Sequence, residues 1–224
     1  MMRTMLLNAQ YGAFLRLSNV MLVLAVMLVT ALSFVLPAQA AQPIRLLAFG
    51  DSLTAGYNLP PDAAFPVQLE KALRAKGLNV TVINAGVSGD TTAAALSRLD
   101  WALADKPTHA LVELGANDML RGLSPEQARG NLDAILARMK QAGIPVLLTG
   151  MQAAPNLGAD YGRRFNTIYP DLAAKHGLPL YPFFLDGVAA DAKLNLGDGM
   201  HPNREGVAVI VQRILPQILR FLGA

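Results

Sequence analysis

The stretch "LLAFGDSLTAGYNLP", Leu46 to Pro60, decides the reading of this chain. Its first half is an apolar run of the kind that forms a strand buried on both faces. It stops at Gly50-Asp51-Ser52, where glycine and small polar residues take over. A turn alone accounts for Gly50 and Asp51. It does not account for a serine at the mouth of the turn, so partners for Ser52 must be sought elsewhere in the chain.

Apolar runs ending at glycine recur. "IRLLAF" (44–49), "NVTVINA" (79–85), "HALVELG" (109–115) and "IPVLLTG" (144–150) read as four strands, and "LPLYPFF" (178–184) as a weaker fifth. Helical segments alternate with them. "FPVQLEKALRAK" places Phe65, Leu69, Ala72 and Leu73 on one face, and "TTAAALSRLDWAL" is helical in composition. Ser124, Pro125 and Gln127 fit an N-cap, an N1 proline and a capping-box partner. Ala128, Leu132, Ile135, Leu136 and Met139 follow at helical spacing. "DYGRRFNTIYPDLAAKHG" predicts a helix interrupted or distorted near Pro170. The last helix follows Pro202, carries Val207, Ile210, Val211, Ile214 and Leu215, and is expected to kink at Pro216. Repeated strand–helix units with apolar strands imply an α/β domain with a parallel sheet of mostly five strands. Ligands of such sheets sit beyond the carboxyl ends of the strands, where Ser52, Gly86–Gly89 and Gly115–Asp118 all fall.

The front of the chain differs. Residues 1–40 contain Arg3 and Arg16 but no acidic residue, and "VMLVLAVMLVTALSFV" (20–35) is followed by Ala38-Gln39-Ala40. This is the pattern of a signal peptide cut near Ala40, with a single domain over 41–224. An uncleaved membrane anchor is the alternative. The expected address is the periplasm or the exterior. Without Arg3 and Arg16 the formal net charge falls from +3 to +1. No basic run remains to bind nucleic acid. There is no cysteine, hence no thiol nucleophile and no thiolate metal site.

A serine hydroxyl needs a base, and the base an orienting carboxylate. His109 opens the third strand, on the wrong side of the sheet. His176 closes a helix before Gly177, where the helix dipole favours it. His201 lies in "GDGMHPN" before the last helix, three residues after Asp198. That spacing can bring the carboxylate to Nδ1 and leave Nε2 for the serine. Donors for a developing oxyanion are the Ser52 N–H, the Gly89 N–H in "NAGVSGDT" and the Asn117 amide in "GAND". Asp51 and Asp118 read as turn-fixing residues. Glu113, charged inside an apolar strand, calls for a buried partner.

Four blocks, "FGDSLTAG" (49–56), "NAGVSGDT" (84–91), "ELGANDML" (113–120) and "DGMHPNREG" (198–206), together resemble the SGNH/GDSL hydrolases, and among them the exported arylesterase and thioesterase/lysophospholipase group. The resemblance spans essentially all of the chain after the leader. It implies a flavodoxin-like three-layer α/β/α sandwich. It also implies hydrolysis of aryl esters, short- to medium-chain acyl esters, acyl thioesters or lysophospholipids through an acyl-serine, with no metal and no cofactor. On matching positions, Ser52 is the nucleophile, His201 the base and Asp198 its carboxylate. Ser52, Gly89 and Asn117 form the oxyanion hole. The loops "MLRGLS" (119–124) and "MQAAPNLG" (151–158) would flank the site, with Met119, Leu120, Leu123 and Leu157 as candidate contacts for an acyl chain. The expected partner is a small ester or lipid, met at a membrane surface where the substrate lies in one, and the chain is expected to act as a monomer. A carbohydrate deacetylase would want an aromatic, polar cleft, and aromatic content is only 6%. A binding module would lack one of the set, and a flavodoxin-type redox carrier would not need Ser52, Asn117 and His201 together.

Overall fold

The structure is a computed structural model that describes Met21 and residues 43–224. The leader expected over 1–40 lies outside the described residues. Five strands form one parallel sheet: β1 (Ile44–Gly50), β2 (Val80–Gly86), β3 (His109–Glu113), β4 (Val146–Thr149) and β5 (Leu180–Tyr181). Their order is β2-β1-β3-β4-β5. From β1 the chain first moves to one side, then crosses back to build β3, β4 and β5 on the other. The crevice at this reversal lies outside the ends of β1 and β3, and it is where open parallel sheets hold ligands.

Successive side chains of a strand face opposite sides of the sheet. Leu46 and Ala48 therefore face one layer, Leu47 and Phe49 the other, and all four have no exposed surface. Helices must cover both sides. Helix α1 (Ser52–Ala55) is a single turn after β1, and α2 (Phe65–Ala75) follows it. The chain then forms α3 (Thr92–Ser97) and α4 (Leu99–Leu103), α5 (Ala116–Leu120) and α6 (Pro125–Gln141). Helices α7 (Ala159–Asn166), α8 (Ile168–His176) and α9 (Arg204–Leu222) complete it. Helix α2 packs on α9, while α6 packs on α3 and α8. This is the three-layer α/β/α arrangement the sequence resemblance implied.

Some local expectations change. The segment 91–103 is two helices, because the backbone breaks at Arg98. The Arg98 side chain turns inward to pair with Asp90 at 2.5 Å and to donate to the Gly50 carbonyl at 2.9 Å. The segment 160–177 is interrupted as expected, at Thr167, three residues before Pro170. Pro170 then sits in the first turn of α8, where its missing N–H costs no helical bond. Pro216 lies inside α9, which runs on to Leu222. Ser124 caps α6 as expected, accepting from the N–H of Glu126 and Gln127. The side chain that closes back on Ser124 is that of Glu126, at 2.7 Å, rather than Gln127.

Candidate active site

Strand β1 ends because Asp51 caps the short helix behind it. Its Oδ1 accepts from the Leu53 N–H at 3.0 Å, and Gly56, at φ +84°, stops the helix after one turn. Ser52 is thereby presented at the sheet edge with 8% of its surface exposed. Its hydroxyl lies 3.0 Å from Nε2 of His201. Nδ1 of His201 is 2.7 Å from Oδ2 of Asp198. A carboxylate accepts, so Nδ1 carries the proton and Nε2 is free to accept from the serine.

The Asp198 side chain also folds its own loop. Oδ1 accepts from the N–H of Met200 at 2.9 Å and of His201 at 3.0 Å. Those two N–H groups, more than the imidazole, hold the Asp198 carboxyl down at about 2. The His201 carbonyl accepts from Leu196 at 2.7 Å, and the Asn203 N–H bonds to the Leu194 carbonyl at 2.9 Å. Asn203 then caps α9 through the Gly206 N–H. His201 is thus braced by a closed loop at the head of a long helix. The Tyr57 ring lies over the imidazole, with centroids 4.4 Å apart.

Gly115 stands at the N-cap of helix α5, which puts Asn117 beside the serine. The Asn117 amide donates to Oδ2 of Asp51 at 3.1 Å. Asp118 points away and accepts from the Thr92 N–H (2.8 Å) and hydroxyl (2.6 Å), tying α5 to α3. Gly89 has φ +85°, and its carbonyl accepts from Arg121 at 2.8 Å. The backbone N–H groups of Ser52 and Gly89 have no acceptor among the described residues. Glu113 finds its partners here: Thr54 donates to Oε2 at 2.9 Å and the Asp51 N–H at 3.4 Å. Burial, then the negative charge of Asp51, pushes Glu113 well above the usual carboxyl range. Burial likewise raises Asp51 to about 6, against the opposing bonds from Leu53 and Asn117.

Ser52, Asn117 and His201 open onto an apolar groove of about 520 Å³. Met119 and Leu120 line it. Leu123 and Leu157 stand outside its lining: the Leu123 carbonyl is held by the Tyr161 hydroxyl at 2.9 Å, and Leu157 packs against the core. Gly89 is also outside the lining. The groove draws its other walls from Met151 to Pro155 and from Phe183, Leu185, Ala189, Ala190 and Met200. The second set was not apparent in the sequence. Phe183 and Leu185 do follow a strand, but reading 178–184 as strand masked that signal.

The other histidines stay apart from this site. His109 opens β3 at the end opposite Glu113, with its ring edge-on to Phe221. His176 bonds to Asp133 at 2.6 Å.

A profile of the GDSL-like Lipase/Acylhydrolase family matches residues 48–209. The chain is 38% identical to an arylesterase of Vibrio mimicus, over 85% of this chain and 96% of that protein. It is 36% identical to esterase TesA of Pseudomonas aeruginosa, over 87% and 97% respectively. Among solved structures it resembles AlinE4, an SGNH-hydrolase family esterase, at 50% identity and a TM-score of 0.68, covering 82% of this chain and 98% of that one. It resembles esterase EstA of Pseudoalteromonas at 31% identity and a TM-score of 0.76, covering 80% and 99%. With this sheet order, this crevice and these matches, the chain belongs to the GDSL-like lipase/acylhydrolase family.

Proposed function

We propose that this chain is a serine esterase that hydrolyses carboxylic esters through an acyl-serine intermediate. The observation that carries the reading is the unbroken line Ser52 Oγ, His201 Nε2, His201 Nδ1, Asp198 Oδ2, with 3.0 Å and 2.7 Å at its two contacts. Ser52 Oγ attacks the ester carbonyl carbon, and its proton passes to Nε2. The carbonyl oxygen becomes an oxyanion that accepts from the N–H groups of Ser52 and Gly89 and from the Asn117 amide. The imidazolium formed is stabilised by Asp198. It returns the proton to the leaving alcohol or thiol as the carbonyl re-forms, leaving the acyl group on Ser52. Water then repeats the sequence with His201 as base and frees the acid.

The apolar groove favours an acyl chain longer than acetyl. Its three methionines, Met119, Met151 and Met200, give it walls that adapt to chains of different shape. Aryl esters, short- to medium-chain acyl esters, acyl thioesters and lysophospholipids are the substrate classes we assign to it. The residues before Ala41 serve as a cleaved leader, and the mature domain over 41–224 works outside the cytoplasm as a monomer. Among the described residues, no helix is long and apolar enough to cross a membrane.

The test is an assay of the chain from Ala41 onward on p-nitrophenyl esters from acetyl to palmitoyl, beside palmitoyl-CoA and a lysophospholipid, with Ser52→Ala as control. Serine-dependent turnover that peaks beyond acetyl is expected. Turnover confined to acetyl esters would move the assignment to a deacetylase, and none at all would remove the esterase reading.

A further inference from the structure

Two carboxyl groups lie beneath the nucleophile with no exposed surface at all: Asp51 and Glu113. Neither handles a proton in the hydrolysis described above. Glu113 ends β3, in register with Gly50 of β1. The fit is tight enough that a Cβ on Gly50 would stand 2.7 Å from Glu113 Oε2. The donors that reach Glu113, the Thr54 hydroxyl and the Asp51 N–H, both end on Oε2. Oε1 is buried without a partner. Asp51 reaches Glu113 through its own N–H, and its charge acts directly on the Glu113 carboxyl. Asp51 is better supplied, with the Leu53 N–H on Oδ1 and the Asn117 amide on Oδ2.

We propose that Glu113 and Asp51 share a single proton, resident on Glu113, and that the Asp51 carboxylate thus kept ionised is a positioning residue that aims the Asn117 amide at the oxyanion. Two adjacent carboxylates in a site closed to water cannot both ionise at neutral pH. The donors decide which one does: Asp51 accepts from two groups that favour its charge. Burial and mutual repulsion place the proton on Glu113, in keeping with its strongly raised titration and the milder rise of Asp51.

The titratable groups facing the pair are His201 from the loop before α9 and Tyr169 from α8. Arg98 gives its guanidinium to Asp90 and the Gly50 carbonyl, so it does not neutralise the pair. An amide is planar and has two N–H bonds. With one fixed on Asp51, the other is left for the substrate and cannot rotate away. A protonated Asp51 would lose the charge that holds the amide, and the oxyanion donor would become free to turn.

The inference rests on the esterase reading for the role of Asn117, and its test separates the two. Infrared difference spectra of wild type against Glu113→Gln at neutral pH should show a protonated carboxyl C=O stretch missing from the variant, whatever the activity. In kinetics, Asp51→Asn should lower kcat by about tenfold or more with a much smaller change in KM. In an Asn117→Ala background the same change should add little, because Asp51 acts through that amide. Glu113→Gln, which still donates toward Asp51, should keep more kcat than Glu113→Leu. If Asp51→Asn does not fold, the two Glu113 variants are compared in the same backgrounds. No carboxyl band, or effects of Asp51→Asn and Asn117→Ala that multiply, would overturn the proposal while leaving an active esterase. An inactive wild type would instead count against the esterase reading.

Discussion

Ser52 is an ordinary hydroxyl until His201 and Asp198 are set around it, and each contact in that line has a local cause. Asp198 is held by backbone donors of its own loop, so the carboxylate is in place before the imidazole meets it. Asn117 is the one proposed oxyanion donor with a side chain to remove. Asn117→Ala is expected to reduce kcat about a hundredfold or more with KM little changed, read from steady-state kinetics on a p-nitrophenyl ester. The buried acids make a separate prediction about stability. Their folded titration lies above the unfolded values: about 6 against 3.8 for Asp51, and well above 4.5 for Glu113. The folded chain keeps protons that the unfolded chain releases. The stability this contributes is complete below the unfolded values and is lost as pH rises through the folded ones. Wild type should therefore lose thermal stability relative to Glu113→Gln as pH is raised from roughly 4 to roughly 8, measured by melting curves. A constant difference across that range would mean that Glu113 titrates normally.

At the scale of elements, the strands that carry the site were readable because their chemistry is local. An apolar run that stops at a glycine and a small polar residue marks both a buried strand and the turn that ends it, as at Gly50 and Gly115. The break at Arg98 was not readable, because it depends on the Gly50 carbonyl, 48 residues away in sequence. The partner of Glu113 was hidden for the same reason: Thr54 comes from a different strand–helix unit. The groove walls at 183–190 needed the packing of two distant loops. Helix α9 and the His201 loop depend on Gly206, where a Cβ would meet the Leu194 carbonyl oxygen at 2.1 Å. Backbone cannot yield there. Gly206→Ala is expected to cost about 1–3 kcal/mol in chemical denaturation and to lower kcat, since it shifts the loop that holds the base. Stability and activity equal to wild type would show that the loop tolerates the shift.

For the whole molecule, the topology explains why one edge of the sheet carries all the chemistry. Strands β1 and β3 are neighbours in the sheet although β2 separates them in sequence, so Ser52 and Asn117 meet at the reversal of strand order. The last loop then brings His201 across 149 residues to the serine. The groove beside them is a property of the assembled fold, and its depth should set chain length. Ala153→Trp, which narrows it, is expected to lower kcat/KM for octanoyl esters by about tenfold or more, and for acetyl esters by much less. An equal loss on both would place the acyl chain elsewhere.

The central claim is that Ser52 is the nucleophile, and a covalent trap tests it most directly. The chain from Ala41 onward is treated with a fluorophosphonate, digested and mapped by mass spectrometry while residual activity is followed. One phosphonyl group on Ser52, formed in step with the loss of activity and absent from His201→Ala, is the predicted result. A label on another residue, or full activity with Ser52 modified, would contradict the account.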